Sequence, residues 1–297
     1  MLRIIADSTC DISKEDARKM GIQIVPISVR FGDEEFLDGV EITHEEFYTR
    51  LAECDELPKT SQPSPDTFMK VFNEAVADGD DVLGIFISSD LSGTYQSACL
   101  AASDVEDETG KKLYMVDSRS ASIGTALLIR EAVKLRDAGV NVYDIAAACT
   151  EMSKYIKLTA VVGSLKYLKM GGRLSGAAAF AGTMLHITPV VSIEDGKVVV
   201  IGKTRGKKAA EKLMHDKLTE DGLSLTRDFM FGHINCSESL ETFINKSLTY
   251  ISDVNGNVGV SSIGCSVGTH VGPGTYGIAY VEAAESGMNR ESIVKTA

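Results

Sequence analysis

DVLGIFISSDLSGTYQSA, residues 81–98, decides the fold. An apolar run, DVLGIFISS, ends in a cluster of small polar groups (Ser88, Ser89, Asp90, Ser92, Thr94), and a helix starting near Gly93 follows at once. A strand that hands the chain directly to a helix is the repeating unit of a parallel sheet, and the carboxyl ends of such strands are where open α/β sheets bind ligands. The unpaired amides and partial positive charge of the helix start favour an anion there, with Ser92 and Thr94 adding hydroxyl donors. The same stretch also fits a Ser92 that does no more than cap the helix.

The pattern extends outward on both sides. LRIIAD, SKEDARKMG, IQIVPISVRF, HEEFYTRLAE, PDTFMKVFNEAV, KLYMVDS and ALLIREAVKLRDAG alternate short apolar runs with helical spacing. They predict a three-layer α/β/α domain with a parallel sheet over residues 1–145. Ser13 and Asp16 have capping-box spacing, and Gly21 stands where a left-handed helix terminus is wanted. From about Val142 the pattern changes. Helical YDIAAACTEMSKYI and strand-like LTAVVGSL precede ITPVVSIEDGKVVVIGKTRG, whose Asp195-Gly196 between β-branched runs signals a hairpin. Helices GKKAAEKLMHDKL and ESLETFINKSLTYI bracket FMFGHIN, and a strand-rich, glycine-rich tail follows. Residues 146–297 therefore read as an α+β domain with a mixed sheet. With no Pro/Ser-rich linker, the two domains should pack closely with a ligand cleft between them.

At 297 residues and 44% hydrophobic content the chain can fill both cores. No apolar run approaches a membrane span and no signal peptide is evident, so a cytoplasmic location is expected. A net charge of −12, with no basic stripe, argues against nucleic acid. Six scattered cysteines without a C-x-x-C pair, and histidines without paired spacing, point to neither a disulfide framework nor a metal. Gly202-Lys203-Thr204 hints at a phosphate loop, but the glycine needed five residues upstream is Lys197 and VVVI reads as strand. No G-x-G-x-x-G follows a strand either, so no intrinsic nucleotide site or cofactor is expected.

Three further stretches are candidates for the site. In KTSQPSP, Ser64 and Pro65 suit a helix start, leaving Thr60 and Ser61 as surplus donors on a proline-stiffened segment. In SVGTHVGPGTYG, residues 266–277, glycines at 268, 272, 274 and 277 allow close approach and positive φ in a loop whose one titratable group is His270. In KYLKMGGRLSG, residues 166–176, two glycines before Arg173 suggest an exposed turn presenting a guanidinium to a carboxylate or phosphate. Each also has a plain reading as a solvated turn, a structural histidine or a solvated arginine.

In order along the chain, IIADSTCDI, KTSQPSP, SSDLSGTYQSA, YLKMGGRLSG and GTHVGPGT resemble the DegV family, fatty-acid-binding carrier subunits of bacterial fatty acid kinase. The resemblance implies one long-chain fatty acid buried between the two domains. It implies a carboxylate held by Thr60, Ser92 and His270, with Ser61, Gly93 and Thr94 shaping that end. A separate ATP-dependent kinase subunit, related to dihydroxyacetone kinases, would convert the bound acid to an acyl phosphate. No residue of this chain would be catalytic, Arg173 would dock the kinase, and transient membrane contact would serve lipid entry. Arg205, just after the hairpin, is a further docking candidate by position. The rival expectation is an acyl or lipid ester hydrolase with Ser92 as nucleophile, His270 as base and Asp7 or Asp90 as orienter, although D-L-S-G-T is not a G-x-S-x-G elbow.

Overall fold

The computed structural model describes residues 1–54, 56–175, 187–224, 226–249 and 256–283. Its first sheet is built from β1 (Leu2–Asp7), β2 (Ile22–Val25), β6 (Asp81–Phe86) and β7 (Tyr114–Asp117), all parallel in the order β2-β1-β6-β7. Successive side chains of a strand face opposite ways, so both faces of β1 must be covered. Ile4 and Ala6 pack under α5 (Ile123–Asp137) and α6 (Val142–Met152), whereas Ile5 meets Phe68, Phe72 and Ala75 of α3 (Pro65–Ala77) and Ala98, Ala101 and Val105 of α4 (Thr94–Thr109). These are the three expected layers.

Local signals set several boundaries. Ser64 accepts from the Thr67 amide with Pro65 at the first helical position, and Gly21 ends α1 (Lys14–Met20) at φ 61°. The Ser13–Asp16 box is only half formed. Ser13 Oγ accepts from the Asp16 amide, but the shorter aspartate takes the Ser13 hydroxyl rather than reaching the Ser13 amide. A complete box occurs instead at α2 (His44–Glu53), between Thr43 and Glu46.

IQIVPISVRF, expected as one run, is two strands in different sheets. Pro26, with no amide hydrogen to donate, separates β2 from β3 (Ser28–Phe31). β3 is the centre of a small antiparallel sheet, flanked by β4 (Glu34–Leu37) and β5 (Lys59–Ser61).

The second half carries a six-stranded mixed sheet. β8 (Ile156–Val161), β9 (Thr188–Glu194), β10 (Lys197–Thr204), β11 (Phe229–His233), β12 (Val258–Ser262) and β13 (Tyr276–Val281) lie in the order β10-β9-β8-β13-β11-β12. The β9–β10 hairpin turns at Asp195 and Gly196, both at positive φ as a two-residue turn requires. One face packs on α8 (Lys207–Asp221) and α9 (Ser237–Ser247) through Met214, Leu218 and Phe243. The remaining helices are α7 (Lys166–Met170) and α10 (Cys265–Val271). The latter corrects the expected loop around His270, which forms about two helical turns; only Gly272 and Gly274 of its four glycines have positive φ. Gly176, His186, Tyr250, Ile251 and residues 284–297 lie outside the described residues.

Ten of the fifteen residues of α5 are buried, on every side of the helix, because it is packed between the two sheets, touching Ile4 and Leu83 of one and Met230, Ala279 and Val281 of the other. The expected domain division at 145/146 falls inside α6, whose Ile145, Ala146 and Cys149 join the core of the first sheet. No described helix is long and apolar enough to cross a membrane. All six cysteines are free, and Cys10, Cys149 and Cys265 are buried.

Candidate functional site

The carboxyl end of β6, the edge of the small sheet and α10 converge on one cavity of about 370 Å³, within the range of small-molecule sites. Its walls are apolar and come from both halves: Ile87, Ala121 and Ile123 from the first, Ala160, Val162, Val191, Ile193 and Val198 from the second. Its polar lining comes from Thr60, Ser61, Ser92, His270 and Arg173, together with Thr9, Gln62, Ser122, Ser266 and Thr275.

Thr60 and His270, 210 residues apart, meet directly: Thr60 Oγ1 lies 2.9 Å from His270 Nε2. Burial, and secondarily the Arg173 charge, pushes the imidazole down to a pKa of about 4, so at neutral pH it is uncharged. Its other nitrogen, Nδ1, is buried without a hydrogen-bond partner. Nδ1 is packed against Gly171, where an added Cβ would stand 2.3 Å from it and 3.1 Å from the Tyr167 carbonyl. Gly171→Ala should therefore push the imidazole away from Thr60, weakening ligand binding by about tenfold and lowering folding stability by about 1–3 kcal/mol, read by titration and thermal unfolding. Unchanged affinity would show that the ring accommodates the methyl in place.

Ser92 lines the same cavity, 2.8 Å from Thr94 Oγ1 and accepting from the Thr94 amide. Gly93 and Thr94 stand behind it rather than in the wall. Thr94 is fully buried, and a Cβ at Gly93 would occupy the place of Gln62 Oε1, 2.1 Å away. Gln62 in turn donates to Ser97 Oγ, which ties KTSQPSP to the start of α4. Ser88 and Asp90, part of the small polar cluster at the end of β6, serve the contact between the two halves. Ser88 Oγ donates to the Gly196 carbonyl at the hairpin turn, and Asp90 pairs with Lys197.

Arg173 does not sit on an exposed turn. Its Nε donates to the Leu91 carbonyl (3.2 Å) and Nη1 to the Gly171 carbonyl (2.6 Å), so the half-buried guanidinium lies along the cavity between the Ser92 loop and α7. Arg205 is exposed after β10 and contributes nothing to the cavity. Gly202-Lys203-Thr204 belongs to β10, as extended strand rather than phosphate loop.

A hydrolytic triad is not formed. His270 Nε2 faces Thr60 rather than Ser92, and Nδ1 meets no carboxylate. Asp7 instead accepts from Thr9 and the Ile87 amide, and Asp90 pairs with Lys197. One feature escaped the spacing rules used for metals: Asp38, His44 and Cys265 bring potential ligand atoms within 4.8 Å of one another. Both Asp38 oxygens already accept from the Cys265 and Ser266 amides, and Ser8 adds a third bond. The trio is accounted for as the anchorage of α10.

What these parts define is a cavity suited to a largely apolar molecule that carries a polar group. Comparison with known proteins agrees with that class. The family described as "uncharacterised protein, DegV family" matches residues 1–283. A DegV domain-containing protein of Clostridium acetobutylicum is 36% identical over 289 residues, covering 94% of this chain and 97% of its own. A structure described as fatty acid binding of a DegV family protein from Thermus thermophilus is similar with a TM-score of 0.84, 31% identity, and coverage of 94% and 99%. A stearic acid-binding protein from Eubacterium ventriosum is similar with a TM-score of 0.85, 29% identity, and coverage of 96% and 100%. The chain belongs to the DegV family.

Proposed function

We propose that this chain binds one long-chain fatty acid, with its carboxylate at Thr60, Ser92 and His270 and its acyl chain along the apolar cavity. The observation that carries this reading is the pairing of Thr60 with a neutral His270 at the polar part of an otherwise apolar cavity. Hydroxyl and imidazole donors satisfy a carboxylate through hydrogen bonds, and the half-buried Arg173 guanidinium lines the same cavity as a nearby positive charge. Ser61, Gly93 and Thr94 support that end, the last two by holding Ser92 and Gln62 in place. Each buried methylene contributes about 0.8 kcal/mol, so a sixteen-carbon acid gains on the order of 10 kcal/mol before ordering costs. That the solved relatives of Thermus thermophilus and Eubacterium ventriosum are described as binding fatty acids supports the same reading.

The finer part of the proposal is that a separate cytoplasmic ATP-dependent kinase subunit converts the bound acid to an acyl phosphate, this chain being a carrier rather than an enzyme. Arg173, between the Ser92 loop and α7, is suited to meet such a partner near the head group, and Arg205 offers an exposed contact. The reading is tested by native mass spectrometry of the purified protein, followed by extraction and identification of whatever it carries. A stoichiometric fatty acid, reduced in Ser92→Ala, is expected. A protein that is empty and fails to take up added palmitate would overturn fatty-acid binding. Equal acyl phosphate formation by a kinase subunit with wild type and Arg173→Ala would remove the docking role.

A further inference from the structure

The helix that carries His270 is held at both ends by the other half of the molecule. At its N-terminus, the Gly264 amide donates to Asp11 Oδ1 (2.8 Å), the Cys265 amide to Asp38 Oδ1 (3.2 Å) and the Ser266 amide to Asp38 Oδ2 (3.0 Å). Three amides that have no partner within a helix are thus satisfied from more than two hundred residues away, since the N-cap, Gly264, has no side chain to do it. Neither carboxylate is free to drift. Asp38 also accepts from Ser8 Oγ, which itself accepts from the Ile27 amide, and Asp11 accepts from the Ser122 hydroxyl. At the other end of α10, in its last turn, His270 meets Thr60.

The spans match. Seven helical residues rise about 10 Å, and β4 and β5, on either side of β3, are about 10 Å apart. Asp38 directly follows β4 and Thr60 is the middle residue of β5. One small sheet therefore grips α10 across its own width. Capping alone needs no more than a serine or asparagine, whereas Asp11 and Asp38 are both buried, which makes their carboxyl groups costly to desolvate.

We propose that Asp11 and Asp38 are positioning residues for the head-group site: by fixing the N-terminus of α10 they set the register in which His270 meets Thr60. The proposal rests on the reading of that pair as the carboxylate site. It accounts for the cost of the buried carboxylates and for the folding of a glycine-rich segment as a helix.

The test measures palmitate affinity in Asp38→Asn, whose amide nitrogen cannot accept from a backbone N–H, alone and combined with His270→Ala. Asp38→Asn should weaken palmitate binding by about tenfold in the wild-type background and less than about twofold when His270 is already absent. Equal losses in both backgrounds would overturn the proposal, because general loosening of the fold acts regardless of His270. In parallel, ¹⁵N-histidine NMR of ligand-free Asp38→Asn and Asp11→Asn should show the His270 ring nitrogens shifted from their wild-type positions. Unchanged His270 signals in both folded variants would likewise overturn it. If wild-type protein does not bind palmitate, the fatty-acid reading fails, and the NMR comparison still decides whether the two aspartates hold the imidazole.

Discussion

Replacing His270 with glutamine is expected to weaken long-chain fatty acid binding by about ten- to a hundredfold and to make the ligand-free protein less sensitive to acid. The affinity loss follows because a flexible glutamine amide does not hold its N–H where the Thr60-paired imidazole does, leaving a charged acceptor without an aligned donor, worth about 1.5–3 kcal/mol. The acid effect follows from the imidazole's pKa of about 4, against an ordinary value of 6.5. A folded-state pKa below the unfolded one means that the unfolded chain takes up the proton first as pH falls. His270 therefore costs nothing above about pH 6.5 and subtracts progressively more stability down to about pH 4, in total about 3 kcal/mol. His215 and His233, also held down by burial, act in the same direction but do so equally in both proteins. The difference in urea-unfolding free energy between pH 7 and pH 4.5 should be smaller in His270→Gln by about 2–3 kcal/mol. Identical differences in the two proteins would mean that His270 is not buried uncharged.

How far such a site could be read from sequence depended on how local its causes are. The strand–turn–helix of residues 81–98, the Ser64–Pro65 helix start and the Asp195-Gly196 turn are fixed by neighbours in the chain, and each formed where its residues pointed. α10 is the opposite case. A seven-residue helix followed by glycines at 272 and 274 has little intrinsic tendency to form, and nothing in SVGTHVGPGTYG reveals that Asp11, Asp38 and Tyr48 hold its first turn. Arg173 looked exposed because glycines precede it, yet the Leu91 carbonyl, 82 residues away, draws the guanidinium along the cavity. Thr60, Ser92 and His270 stand together as a set only through the resemblance to the DegV family, because residue spacing leaves each of them a local reading as turn, cap or structural histidine. Gly171 and Gln62, whose task is to leave or fill space beside them, are not marked out by spacing either.

Lengthening Ala121 to phenylalanine should abolish long-chain binding while leaving the head-group pair in place. Ala121 is buried against the cavity, on the turn between β7 and α5, in one apolar cluster with Ala160, Val162 and Val191 of the second half. A benzyl group there occupies part of a space of about 370 Å³ that an acyl chain needs almost entirely. If it denies room to five methylenes, the loss is about 4 kcal/mol, roughly a thousandfold in affinity. The ligand-free protein should not be destabilised, because the added ring fills an existing apolar void rather than forcing a packed core apart. The decisive comparison is palmitate titration beside the thermal unfolding midpoint and the ¹⁵N-histidine spectrum of the variant. Binding lost with midpoint and His270 signals retained separates the acyl cavity from the head-group site. Binding retained at wild-type strength would mean that the chain runs along another wall, since the buried methylenes, far more than the three hydrogen-bonding side chains, supply the affinity that the proposed function requires.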